Sequence, residues 1–292
     1  MNSMTYDFAI IGGDLRQVYM ANNLISRGFS VLLYGLENLC DKNSMEHAKS
    51  LAQAIDSSRV ILTPIPFTKN GVHILSVDTK TDLTPEILCK HLKKGHKLYG
   101  GCFTKNIQDF CEANDIYYND FMEEEEITLF NTIATAEGTI AEAIINGSGN
   151  LHGSSCLILG YGRCAKTLAE KLKGLCGEVT IAARAPLAMA QAKTSSFHAL
   201  PLTELSAVIS DFDYIFNTIP APVLNKELLS KTKQDVVIID IASAPGGVDF
   251  SSAKELSRTA KLSLGLPGKY APKASADFLT SYLLSSLGEP SL

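Results

Sequence analysis

Apolar and polar positions alternate along this chain in blocks of two kinds. YDFAII (residues 6–11) is an apolar strand, followed by a turn at Gly12-Gly13. Apolar residues at helical spacing follow over residues 16–26, Gly28 stops the helix, and FSVLLYG is a second strand. The same order returns later: SCLILG, a turn at Gly160–Gly162, a helix over 165–173 ended by Gly174 and Gly177, then EVTIAAR.

The parallel extends further. VILTPIPFTKNG (60–71) matches YIFNTIPAPVLN (214–225): an apolar strand, a Thr, then a Pro-rich turn. LTPEILCKHLKKGHKLYGG (83–101) matches LNKELLSKTKQDVVIIDIAS (224–243), each a helix and then a strand. The spacing between matched segments varies, as expected when insertions fall in loops. The pattern predicts an α/β protein of two doubly wound Rossmann-like domains with parallel sheets, arranged as in D-2-hydroxyacid dehydrogenases with a cleft between them. The expected boundaries are 1–130 for a flavodoxin- or Rossmann-like substrate domain and 131–273 for a nucleotide domain. A helix over 131–146 leads from one to the other. A helix over 274–292, with Phe278, Leu279, Tyr282 and Leu283 on one face, would cross back and complete the first domain. The acidic run at 123–126 is expected to be a solvated turn or helix start rather than a binding patch.

Composition removes several function classes. In 292 residues the net charge is −5 with no basic block, so nucleic-acid binding is not expected. No apolar run is long enough to span a bilayer, and the N-terminus lacks the basic segment of a signal peptide. Seven cysteines without a CxxC, and six scattered histidines without HExxH, argue for reduced thiols and no metal site.

The clearest chemical motif is Gly160-Tyr161-Gly162-Arg163-Cys164-Ala165, a GxGxxA between a strand and a helix. Gly160 permits the tight turn, Gly162 lets a pyrophosphate approach the backbone, and Ala165 allows close helix–strand packing. Arg163 adds a charged donor toward the phosphates. The end of the next strand reads Ala182-Ala183-Arg184, with no acid to take a ribose 2′-hydroxyl. Arg184 suits a 2′-phosphate, so NADP is expected rather than NAD.

Ligands of such sheets lie at the carboxyl ends of the strands. Thr218 and Pro220, Ala242 after Asp240, and Pro267 in GLPGKYAPKASA should reach that edge. The last run is expected to be a shaped loop. Lys269 and Lys273 could meet an anionic substrate or simply be solvated. Asp240 is either an acid–base group or a carboxylate that orients its loop.

Taken together, IIGGDLRQ (10–17), NTIATAEGTIAEAI, LILGYGRCAKTLAEKL with EVTIAAR, and NTIPAPVL with GLPGKYAPKASA resemble the A subunits of dipicolinate synthase from spore-forming bacteria over nearly the whole chain. The N-terminal motif and the AEG segment are the most specific parts. The resemblance implies NADP-linked oxidation of a dihydrodipicolinate, formed from 4-hydroxy-tetrahydrodipicolinate by loss of water, to dipicolinate. It also implies the smaller, flavoprotein-like B subunit of dipicolinate synthase as partner and a cytoplasmic place in the mother cell of a sporulating bacterium; a homo-oligomer is also open.

That reaction ends in an aromatic ring, so positioning matters more than a strong acid or base. The substrate's two carboxylates need donors. Arg16 is the first candidate, with Gln17 and the helix-start N–H groups assisting and Asp14 orienting Arg16; the alternative is a purely local salt bridge. Thr63 and Thr135 are secondary substrate candidates. Glu137, Asp240 and Lys269 are secondary catalytic candidates, and no catalytic residue is assigned.

Two other functions compete. A D-2-hydroxyacid dehydrogenase needs a general acid–base, usually His. After Gly149 only His152 and His198 exist, and neither lies in the segments that reach the nicotinamide. The other is a nucleotide-binding scaffold whose partner performs the catalysis.

Overall fold

The computed structural model describes residues 5–40 and 45–289. The first four residues, and the last three of the helix expected over 274–292, lie outside the described residues. The chain divides into two compact units, one running to Thr128 and resuming at Ala271, the other Leu129–Tyr270.

In the first unit the strands are β1 (Tyr6–Ile11), β2 (Val31–Tyr34), β3 (Glu46–His47), β4 (Ser58–Leu62), β5 (Lys97–Gly100) and β6 (Tyr117–Asp120). Between them run α1 (Leu15–Ser26), α2 (Leu51–Asp56), α3 (Pro85–His91) and α4 (Lys105–Ala113). The sheet order β3-β2-β1-β4-β5-β6 is the Rossmann order, not the flavodoxin one, and every pairing is parallel. Strands buried on both faces need continuous apolar sequence, which Phe8 to Ile11 of β1 and all of β2 supply.

A long helix, α5 (Glu125–Asn146), carries the chain across the unit boundary. It begins six residues before the expected position 131. Glu125 and Glu126 lie in its first turn, where carboxylates favour a helix N-terminus, and Glu123 and Glu124 precede it, so the acidic run is a turn leading into a helix start.

The second unit repeats the plan with β7 (Ser155–Leu159), α6 (Arg163–Gly174), β8 (Glu178–Ala183), α7 (Pro186–Thr194), β9 (His198–Pro201), α8 (Leu205–Val208), β10 (Tyr214–Asn217), α9 (Lys226–Lys231), β11 (Val237–Asp240), α10 (Phe250–Glu255), β12 (Thr259–Leu262) and α11 (Leu266–Tyr270). Its order, β12-β11-β10-β7-β8-β9, is again Rossmann and all parallel.

The last helix, α12 (Pro272–Leu287), lies in the first unit against α1. Ala276, Leu279, Leu283 and Leu284 join Val18, Ala21 and Leu24 in one core, and Asn23 Nδ2 donates to Asp277 Oδ1 at 2.9 Å. GLPGKYAPKASA is therefore not the shaped loop expected. It is α11 and the start of α12, with Pro272 in the first turn of α12, where a fixed φ and a missing N–H cost nothing.

Candidate functional site

In the second unit the ends of four strands form one row. Leu159, Asn217, Asp240 and Leu262 are in register across β7, β10, β11 and β12. The chain leaves β7 through Gly160 at φ +94°, where a Cβ would come within 2.6 Å of Thr218 Oγ1. Gly160 is thus required twice, by its left-handed backbone and by the close approach. Gly162 is the N-cap of α6 and offers no side chain to the first-turn N–H groups, and the space where its Cβ would stand is open. Ala165 is fully buried in the α6–sheet contact.

Such a helix start presents backbone donors and positive dipole to open space, the arrangement that receives a pyrophosphate. Arg163 is exposed in the first turn, and Cys164 is partly buried, its thiol pushed up by burial. Tyr161 is buried, with its ring edge-on to Phe197 and Lys166 over its face. Arg184 stands exposed after β8, and among the described residues no hydrogen bond or ion pair holds it.

Across the row, Thr218 Oγ1 donates to Leu159 O at 2.7 Å. Pro220 is exposed in the turn that follows, and Ala242 is buried beyond β11. The fully buried Asp240 carboxylate accepts from Asn217 Nδ2 at 2.8 Å, Ala242 N at 3.0 Å and Gly247 N at 2.7 Å. It therefore orients the loops after β10 and β11, and no proton-transfer role is needed to account for its burial.

Sequence reasoning missed Ser263. It follows β12, donates its N–H to Asp240 O at 2.7 Å, and carries a buried hydroxyl with no protein partner. An orphaned buried hydroxyl is costly, and a ligand's polar group would relieve it. No residue spacing marks it, because only the strand register brings it to the row. The open helix start, the exposed Arg184 and this hydroxyl all fit a dinucleotide along the strand ends.

Other candidates are engaged elsewhere in the fold. Glu137 pairs with Lys171 at 2.8 Å, Thr135 Oγ1 donates to Asn131 O within α5, Lys269 pairs with Glu142, and Lys273 with Asp277. Pro267 is the second residue of α11.

The first unit fills its corresponding corner with its own atoms. Asp14 is the N-cap of α1, and its carboxylate accepts from Arg16 N, while Gln17 Oε1 accepts from Asp14 N at 2.9 Å. This is a capping box with Gln in the role of Glu. The helix start expected to hold a substrate carboxylate thus already holds one from Asp14. Gln17, 1% exposed, closes the box and does not point outward.

Over Gly12 and Gly13 lies the segment at Leu75-Ser76, with Gly13 N donating to Leu75 O at 2.8 Å. A nucleotide phosphate could not approach there. Arg16, 6% exposed, binds Asp14 through Nε and Nη2, and Nη2 also donates to Ile65 O. Burial would raise the Asp14 carboxyl, but the hydrogen bonds and charge of Arg16 bring it below its usual value. Thr63 is buried and donates to Tyr99 O at 3.0 Å, a structural bond.

Among the described residues no helix is long and apolar enough to cross a membrane, and no cluster of three His, Cys, Asp or Glu could hold a metal.

Comparison with known proteins agrees with this division. Residues 7–122 match the family model of the N-terminal domain of the dipicolinate synthase A subunit. Residues 131–248 match that of the NAD binding domain of D-isomer specific 2-hydroxyacid dehydrogenase. The dipicolinate synthase A subunit of Bacillus subtilis is 29% identical over 96% of this chain and 95% of its own. The crystal structure of the corresponding A subunit from Bacillus halodurans superposes with a TM-score of 0.84 at 27% identity, covering 99% of this chain and 100% of that one. The crystal structure of the Bacillus subtilis protein gives 0.82 at 26% identity, over 99% and 98%. The second unit is accordingly a dehydrogenase-type dinucleotide-binding domain, and over 96% of its length the chain is a relative of the dipicolinate synthase A subunits.

Proposed function

We propose that the chain is the oxidoreductase component of a dipicolinate synthase, converting a dihydrodipicolinate derived from 4-hydroxy-tetrahydrodipicolinate to dipicolinate with NADP as oxidant. The similarity along the chain supports the substrate. The observation that carries the cofactor is the open N-terminus of α6 at Gly162 beside the unengaged Arg184. A bound dinucleotide supplies a hydride acceptor, and the substrate releases a proton to solvent as its ring becomes aromatic.

The residues of the second unit bind and orient. First-turn N–H groups of α6 and Arg163 hold the pyrophosphate, and Arg184 meets the 2′-phosphate. Thr218, Pro220 and the loop that Asp240 shapes border the nicotinamide half. In the first unit, Arg16 is the substrate residue. Its Nε and Nη2 are held by Asp14 and Ile65, which fixes the plane of the guanidinium and leaves Nη1 for a substrate carboxylate. Pre-orientation of this kind replaces a strong protein acid or base. A smaller flavoprotein-like B subunit is the partner, in the cytoplasm of a sporulating mother cell.

Arg184→Asp tests the cofactor assignment. The ratio of NADP to NAD affinity should fall by about tenfold or more, the scale of one charged hydrogen bond. An unchanged ratio would remove Arg184 from the 2′-phosphate site.

A further inference from the structure

Glu142 on α5 is 2% exposed, yet its carboxylate is shared by two lysines from different elements. Lys261 of β12 reaches Oε2 at 2.7 Å, and Lys269 of α11 reaches Oε1 at 2.5 Å. Burial would raise this carboxyl, but hydrogen bonds from Lys261, Lys269 and Tyr270 hold it down at about 2, so it is ionised. One turn earlier on the same helix, Gly138 lets α11 come close. A Cβ there would stand 2.7 Å from the Tyr270 ring and 3.1 Å from Leu266 Cβ. Among the five residues of α11 only Leu266 is buried, so apolar packing alone secures it weakly. Its position against α5 depends on the Glu142 carboxylate.

The direction in which a dinucleotide would run gives α11 its importance. Arg184 stands after β8 and the Gly160–Gly162 turn after β7. With the order β12-β11-β10-β7-β8-β9, an adenylate half at Arg184 sends the other half toward β10, β11 and β12. The last strand end on that course carries Ser263 and then α11.

We propose that Glu142 is a positioning residue for the nicotinamide half of the cofactor: by holding Lys261 and Lys269 it fixes Leu266 and Pro267 beside that half without touching it. This rests on the reading that the unit binds NADP. An amide at position 142 leaves two ammonium groups around a neutral side chain, and α11 loses its tether to α5. The α6 turn and Arg184, across the sheet, are unaffected.

The test is titration calorimetry of the whole chain with NADPH and, separately, with 2′,5′-ADP, which lacks the nicotinamide half. Glu142→Gln should bind NADPH about tenfold more weakly and 2′,5′-ADP as tightly as the parent. If that variant does not fold, Lys269→Met gives the same reading, because Lys269 is half-exposed and Lys261 still pairs with Glu142 at Oε2; Lys269→Arg should restore NADPH affinity. Equal loss for both ligands, or no loss for either in a folded variant, overturns the proposal. A parent chain that binds neither ligand instead overturns the cofactor reading, and the proposal with it.

Discussion

Asp14 Oδ1 accepts both the backbone N–H of Arg16, at 2.9 Å, and its Nε, at 3.0 Å, while Oδ2 takes Nη2 at 2.8 Å. One carboxylate therefore caps α1 and sets the plane of the guanidinium. The two substitutions at this pair should separate those tasks. Arg16→Ala keeps the cap, so NADP binding and fold should persist while kcat/KM for the dihydro substrate falls by roughly 10- to 150-fold, the worth of a charged hydrogen bond. Steady-state kinetics at matched NADP saturation would show it, and an unchanged kcat/KM removes Arg16 from the substrate site. Asp14→Ala should cost more than the roughly 1 kcal/mol of an N-cap in a urea melt, because it also leaves the buried Arg16 guanidinium without its carboxylate.

Asp240 offers a way to tell an orienting carboxylate from a catalytic one. In Asp240→Asn, a single amide oxygen must replace two carboxylate oxygens, and one of the N–H groups of Ala242 and Gly247 then faces an NH2. Stability should fall by about 1–3 kcal/mol, the cost of an unsatisfied buried donor. Activity should fall too, but the pH–rate profile should keep its shape. Loss of one limb of that profile would instead make Asp240 the proton-transfer group.

A stability change with pH is expected from the first unit. His96 is 1% exposed, its Nδ1 accepts from Lys93 N at 3.2 Å, and its Nε2 has no partner. Burial, with the nearby charge of Lys93, lowers its pKa below 6.5. The unfolded chain then takes up a proton first as pH falls, so stability is lost below about pH 6.5 until the folded pKa is passed. Urea midpoints between pH 7.5 and 5.5 should drop for the parent and drop less for His96→Asn. Equal slopes would show that His96 does not titrate this way.

Much of the fold is legible in the chain because its physics is local. The strands YDFAII and SCLILG carry the unbroken apolar runs FAII and CLIL, as strands buried on both faces require, and Gly28 and the Gly160–Gly162 turn punctuate their helices. A start of α5 at 131 is too late because an acidic run fits a solvated turn and a helix start equally well, and sequence alone does not choose between them. The tail GLPGKYAPKASA resembles a loop because its prolines fall near helix starts, where they are tolerated. At the site, the glycine loop and Arg184 are contiguous signals. The place of Gln17 is legible too, since Asp14-x-x-Gln17 has the spacing of a capping box; reading both side chains as substrate groups passes over it. Ser263 and the Glu142 clamp depend on strand register and on elements more than a hundred residues apart, which no local pattern encodes.

The central claim meets its most direct test in a stoichiometry. The chain, mixed with its partner, NADP and the dihydrodipicolinate precursor, should form dipicolinate and NADPH in equal amounts, followed together by their separate ultraviolet absorptions. Dipicolinate appearing without NADPH, or equally fast when the Arg16→Ala chain replaces the parent, would contradict it.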